Sequence, residues 1–331
     1  MVDLLNAALI GTGTCIPERI LTNYDLEKMV DTSDEWIRRR TGMVERRIAD
    51  EGTASSDLGI QASLRAIEAA GIDVQEIDLI ILATITPDML FPSTACFVQK
   101  GIGADNAAAF DLSAGCSGFS YGLVVANQFI KCGTYKTVLV VAAETLSKIT
   151  DWTDRSTCVL FGDAAGAAVL QATDENKGII STYMSADGNF SDHELLGLPA
   201  GGSRHPASHE TVDNGMHYIK MRGGELFKLG VRAMAEAGLR ALEAGNLTID
   251  DVALCIPHQA NKRIIDAVGE RIGLSEDRMF VNVHKYGNTS SATMAVALDE
   301  AITTDKVGPG DIVLIVAFGS GLTWAATTIR L

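Results

Sequence analysis

The second half of this chain repeats the first. The segment IDLIILATITPD (77–88) aligns with DVALCIPHQANK (251–262), and AAAFDLSAGCSGFSYGLVVANQFI (107–130) aligns with RMFVNVHKYGNTSSATMAVALDEAI (278–302). KTVLVVAAE (136–144) then meets DIVLIVAFG (311–319), and CVLFGDAAGAAVL (158–170) meets LTWAATTIRL (322–331). The offset stays at about 173 residues over the first three matches and shortens to about 163 at the last. A shared order at a near-steady offset over successive elements separates duplication from the general likeness of α/β segments.

Short apolar runs at 78–84, 107–112, 138–143, 252–256, 279–283 and 312–317 read as strands buried on both faces. Ala- and Leu-rich stretches at 117–131, 260–272 and 291–303 carry helical spacing between them. Strand–helix alternation of this kind predicts an α/β fold with largely parallel strands. The duplication divides the chain into halves at 1–175 and 176–331, related by a pseudo-two-fold axis. Ligands of open α/β sheets bind beyond the carboxyl ends of strands, so equivalent turns of the two halves should meet at one site. Cys116 and Asn288 occupy matching turns, and His258 follows the strand that matches 78–84.

Bulk properties narrow the class. A chain of 331 residues with 47% apolar and 21% charged residues supports a sizeable core, and seven prolines leave no long linker. A net charge of −15 argues against nucleic acid and anionic membrane surfaces as partners. No apolar run approaches the roughly eighteen residues of a membrane span. MVDLLNAALIGTG at the start lacks a basic n-region and a cleavage site, which predicts no secretory leader. Six cysteines without CxxC pairs or zinc-like spacing fit a reducing, cytoplasmic compartment and no metal site. His205 and His209, in the polar stretch 200–215, read as solvated side chains of a surface loop.

Within FDLSAGCSGF (110–119), an apolar strand ends, small residues make a tight turn and a helix begins at or near Cys116. That corner places the thiol beside unpaired backbone N–H groups at a positive helix end, which predicts a lowered thiol pKa. Gly115 and Gly118 keep the approach open. His258 stands in IPHQAN just past a strand, and Asn288 in KYGNTSSA at another strand-to-helix turn. Read singly, the histidine fits a surface or core role and the asparagine a helix cap. Read together at matching corners, they supply two neutral donors for a developing enolate beside a nucleophile.

AGCSGF, PHQAN and YGNTSSA, in this order and at these separations, resemble β-ketoacyl-acyl-carrier-protein synthase III, a family of thiolase-fold condensing enzymes. DEWIRRRTG (34–42), FGDAAGA (161–167), MRGGELFK (221–228) and FGSGLTW (318–324) extend the likeness over the whole chain. The resemblance implies a duplicated five-layered αβαβα architecture. It implies that Cys116 takes an acyl group from an acyl-CoA, with acetyl-CoA the expected primer. His258 and Asn288 would then stabilise the enolate as malonyl-acyl-carrier-protein loses carbon dioxide. Backbone N–H groups of Cys116 and Ser320 would form the oxyanion hole. Trp36 and Arg155 would sandwich the CoA adenine, Arg40 would meet its phosphates, and Asn261 the pantetheine arm or an active-site water. Phe91 and Phe318 would bound the acyl pocket, Phe91 by insertion into the other subunit of a homodimer. Lys228, Lys262 and Arg263 would dock the acidic carrier protein. No cofactor is implied, because acyl-CoA is a substrate.

Two positions depart from the family pattern. Gly224 replaces an asparagine often found there, and Ser320 stands in a loop that is commonly all glycine. Thiolases carry a second cysteine in that loop, and this chain has none. Relatives in specialised metabolism, such as quinolone or polyketide priming enzymes, share these motifs and remain an alternative. A non-catalytic subunit that only binds a carrier protein is a further one, although all three catalytic positions are filled.

Overall fold

The computed structural model describes residues 5–191 and 193–331. The first four residues of the segment read for a leader lie outside them. Nine strands build two central sheets: β1 (Asn6–Cys15), β2 (Leu79–Ala83), β3 (Ala108–Leu112), β4 (Thr137–Thr145), β5 (Asp163–Thr173), β6 (Gly178–Ala186), β7 (Val252–Pro257), β8 (Ile312–Gly319) and β9 (Thr323–Arg330). The helices used below are α1 (Asp34–Thr41), α2 (Ser55–Ala70), α3 (Thr94–Ile102), α4 (Gly118–Lys131), α5 (Gly223–Ala244), α6 (Lys262–Ile272) and α7 (Ala292–Thr303).

One sheet runs β1-β5-β4-β2-β3 and the other β7-β8-β9-β6. Read from opposite ends, the orders superimpose: β1 answers β6, β5 answers β9, β4 answers β8 and β2 answers β7. The first sheet uses only strands up to Thr173, and the second only strands from Gly178 onward. Every residue of β2, β4 and β8 is buried, the mark of strands covered on both faces. Helices α4 and α7 lie between the sheets, each touching strands of both. Helices α2 and α3 cover the outer face of the first sheet, and α5 with α6 cover the second. Five layers, αβαβα, result: the thiolase fold.

Two expectations are corrected. The sheets are mixed rather than largely parallel, because β1, β5, β6 and β9 run antiparallel to their neighbours. The turn from β8 to β9 is only residues 320–322, far too short for the crossover that a parallel pair needs. The run at 279–283 is not a strand; it contributes a single bridge from Met279 to Cys255. After that bridge the Gln259 side chain accepts from the N–H groups of Asn282 and Val283, drawing the chain out of the ladder. The polar stretch 200–215 also contains a short helix, His209–Asp213; His209 is exposed and His205 half-buried. No helix among the described residues is long and apolar enough to cross a membrane.

Candidate active site

Cys116 sits in a single 3-10 turn, Gly115–Ser117, between β3 and α4. The last loop of the chain packs directly onto this turn. A Cβ on Gly319 would come 2.5 Å from Cys116 N, and one on Gly115, where φ is +55°, 2.7 Å from Ser320 N. Only glycine permits this approach, which brings the N–H groups of Cys116 and Ser320 into one neighbourhood. His258 follows β7 and is held by a 2.8 Å bond from its N–H to the carbonyl of Val316 in β8. The backbone of Asn288 is tied on both sides, donating to Leu160 O and accepting from Gly162 N. The three residues line one cavity of about 300 Å³, together with Asn261, Phe318, Ser320 and an otherwise mostly apolar wall.

Hydrogen bonds orient the polar groups. The Oδ1 of Asn288 accepts from Ser290 N at 2.9 Å, so its Nδ2 is the end left for the cavity. Asn261 likewise spends Oδ1 on the Ile264 N–H as cap of α6. His258 Nδ1 lies 2.7 Å from Thr293 Oγ1, whose proton has two acceptors: this nitrogen and the Ser290 carbonyl. Donation to Nδ1 leaves the neutral imidazole with Nε2–H, a donor.

Burial dominates the electrostatics. It pushes the His258 pKa down to about 3, so the imidazole is neutral. It pushes the Cys116 thiol up to about 12, with the Ser290 hydroxyl pulling the other way and the Glu144 carboxyl adding to the rise. This corrects the expectation of a lowered thiol pKa: desolvation in a closed site outweighs the helix terminus. The histidine makes a testable contribution to stability. The unfolded chain binds a proton here below about pH 6.5, whereas the fold does not until about 3. Stability therefore falls as pH drops through that window. In urea titrations His258→Gln is expected to flatten the decline by up to about 1.4 kcal/mol per pH unit. An unchanged slope overturns the buried-neutral assignment.

The other named residues lie farther out. Arg155 stacks over the Trp36 ring with its guanidinium carbon 5.0 Å from the centroid, and it donates to Asp31 O. Helix α1, which carries Trp36 and the exposed Arg40, packs on α6, whose cap Asn261 lines the cavity. Arg263 lies 5.5 Å over Phe227, and Lys228 is exposed. Lys262 is already engaged by Asp266 at 2.8 Å and Glu276 at 3.2 Å. Phe91 is away from the cavity and 83% exposed, next to Leu90 at 78%. Sequence reading missed Glu144, Ser290 and Thr293, all buried around the site. A signal for Glu144 existed: it is the one charged residue in the otherwise apolar run VLVVAAE.

Comparison with known proteins decides the family. The models for 3-oxoacyl-[acyl-carrier-protein] synthase III and for its C-terminal domain match residues 110–188 and 242–331. A β-ketoacyl-[acyl-carrier-protein] synthase III of Caldanaerobacter subterraneus is 56% identical over 330 residues, covering 100% of this chain and 99% of the relative. The chain belongs to the β-ketoacyl-acyl-carrier-protein synthase III family. It is thus an acyltransferase of the condensing type. Among solved structures, the synthase III of Aquifex aeolicus matches with a TM-score of 0.90 and 48% identity over 98% of this chain and all of that one. The priming β-ketosynthase of the R1128 polyketide pathway matches with a TM-score of 0.92 and 35% identity, over 100% and 98%.

The departures from the synthase III pattern are accommodated. Gly224 opens the first turn of α5, and a side chain there would stand in open space. Ser320 keeps its backbone N–H, and its carbonyl accepts from Thr323 Oγ1. Among the described residues no cluster of three or more His, Cys, Asp or Glu is arranged to hold a metal.

Proposed function

We propose that this synthase III primes fatty-acid synthesis in the cytoplasm by a two-step reaction. In the first, Cys116 attacks a short acyl-CoA, expected to be acetyl-CoA, while the N–H groups of Cys116 and Ser320 hold the tetrahedral oxyanion. In the second, malonyl-acyl-carrier-protein enters with its thioester oxygen between His258 Nε2–H and Asn288 Nδ2. Loss of carbon dioxide leaves an enolate at that oxygen, and its carbon attacks the acyl-enzyme to give 3-ketoacyl-acyl-carrier-protein. The observation that carries this reading is the meeting of a thiol, a neutral imidazole and an oriented amide donor on one largely apolar cavity.

Binding roles follow from placement. Arg155 lies directly over the Trp36 ring, so an adenine would stack between them by parting the pair, and Arg40 offers a charge for phosphates. Trp36→Ala is expected to raise KM for acetyl-CoA about tenfold with kcat within twofold, since base stacking is worth about 1–3 kcal/mol. A KM unchanged in steady-state assays removes Trp36 from the CoA site. Lys228 and Arg263 are the carrier-protein contacts we favour, with Lys262 held back by its two carboxylates. The exposed Leu90–Phe91 pair suits burial by a second copy of the chain.

Intact-protein mass spectrometry with acetyl-CoA, followed by malonyl-acyl-carrier-protein, tests the function. An acetyl adduct on Cys116 that disappears as acetoacetyl-carrier-protein forms supports it. An adduct only from longer or aromatic acyl-CoAs moves the enzyme to the specialised priming role named for the R1128 relative. No adduct from any acyl-CoA refutes the reading.

A further inference from the structure

The site as described holds a thiol with no base. In the tautomer that suits the enolate, neutral His258 already carries its proton on Nε2 and has no lone pair there for the thiol proton. A second proton acceptor lies behind Cys116. Glu144, at the end of β4, is fully buried and has no cationic partner among its described contacts. Its Oε2 accepts from Ile85 N at 3.0 Å, Thr86 Oγ1 at 2.8 Å and Thr84 Oγ1 at 3.2 Å. Its Oε1 accepts from Ser291 Oγ at 2.6 Å and Ser291 N at 3.4 Å.

Between this carboxyl and the thiol stands Ser290. It is buried, lines the cavity, and is held at φ +50°, a left-handed conformation that costs a non-glycine residue energy. Its N–H is spent on Asn288 Oδ1, and its carbonyl accepts from Thr293. Its hydroxyl faces both Cys116 and Glu144 without closing a hydrogen bond of regular geometry to either. An unpaired buried hydroxyl destabilises the fold unless a partner arrives, so its retention between two titratable groups calls for a reason.

We propose that Glu144, acting through the Ser290 hydroxyl, stores the Cys116 proton between the two half-reactions. The inference rests on the acyl-transfer reading above. In the first half-reaction Cys116 S–H passes its proton to Ser290 Oγ as Ser290 passes its own to the Glu144 carboxylate. The thiolate sulfur forms its bond to the acyl carbon, the carbon–sulfur bond to CoA breaks, and the CoA thiolate leaves to take a proton from water. In the second, the malonyl carboxylate departs as carbon dioxide, the carbanion forms the new carbon–carbon bond, and the carbon–sulfur bond to Cys116 breaks. The stored proton returns through Ser290 to that thiolate, and Glu144 is again a carboxylate. Charge balances, because the malonyl carboxylate is exchanged for the glutamate carboxylate.

The surroundings fit a proton store. Desolvation raises the Glu144 carboxyl above its usual range, bringing a neutral form within reach, while the hydrogen bonds of Ser291, Ile85 and Thr86 keep the ionised form tolerable. Cys116 is the titratable group that faces it. Asp163, next in register on β5 opposite Thr145, is held separately by Ser147 and the Ala49 N–H.

Infrared difference spectroscopy of the acetylated minus the free protein tests the store directly. A protonated-carboxyl stretch, shifted in heavy water, should appear on acetylation, vanish when malonyl-acyl-carrier-protein is added, and be missing in Glu144→Gln. Acylation and condensation, timed separately by quenched mass spectrometry, should each slow at least tenfold in Glu144→Gln and Ser290→Ala. Glu144→Asp should recover part of both rates, which a purely structural role for the carboxyl would not require. An acetylated wild type without the carboxyl band overturns the proposal, as do wild-type rates in Ser290→Ala. The wild-type spectrum decides even if Glu144→Gln fails to fold. A wild type that takes no acyl group at all refutes the functional reading itself.

Discussion

Replacing Cys116 by alanine is expected to abolish the acyl adduct and to lower condensation by about a million-fold, the scale seen when a hydrolase loses its nucleophile. The loss is confined to covalent chemistry. The substitution removes one sulfur from a turn already fixed by Gly115, Gly319 and the bond from Ser117 Oγ to Thr323 O. Thermal unfolding should shift by only a few degrees, in line with about 1 kcal/mol for a small buried deletion. The donors His258 and Asn288 remain on the cavity wall. Cys116→Ala should therefore still decarboxylate malonyl-acyl-carrier-protein, releasing acetyl-carrier-protein instead of a condensed product. The other five cysteines offer no substitute, because none of them lines the cavity that holds His258 and Asn288. An acetyl adduct of unchanged stoichiometry in intact-mass spectra would place the nucleophile elsewhere.

The meeting of Cys116, His258 and Asn288 was legible in the sequence because duplication is a symmetry statement. Once residues 77–88 map onto 251–262, strand ends far apart in the chain become neighbours, and the small-residue turns at 114–118 and 287–291 mark where the corners lie. Strand polarity was less legible. Buried runs read alike whether parallel or antiparallel, and only the length of the β8–β9 connection settles that pair. The run at 279–283 misled for a related reason: its pattern suits a strand, but the side chain of Gln259 takes its N–H groups. The thiol pKa could not be read at all. Helix position is local and visible, whereas desolvation depends on how both halves close over the cavity. Glu144, Ser290 and Thr293 escaped because each reaches Cys116 or His258 over a long stretch of chain, Ser290 across the join between halves, and serine or threonine near a helix start reads as an ordinary cap.

His258→Ala and Asn288→Ala are each expected to acylate within about threefold of wild type and to condense roughly 100- to 1000-fold more slowly, the scale for one lost oxyanion donor. In the proposed condensation both residues act on an oxygen that becomes negative only when malonate loses carbon dioxide, so the acyl-transfer step leaves them idle. Two further substitutions separate donation from scaffolding. Asn288→Asp keeps an oxygen for the Ser290 N–H but removes the donor, so it should condense as poorly as Asn288→Ala. Thr293→Val removes the hydroxyl bonded to His258 Nδ1, so a smaller loss, about tenfold, is expected as the imidazole loses its anchor. The double variant His258→Ala/Asn288→Ala should fall short of the product of the single losses, because residues that act as a unit on one charge are not additive. Single-turnover mixing of the preformed acetyl-enzyme with malonyl-acyl-carrier-protein, read by mass, measures all of these. If Asn288→Asp condenses like wild type, the asparagine only shapes the Ser290 turn, and His258 alone would face the enolate.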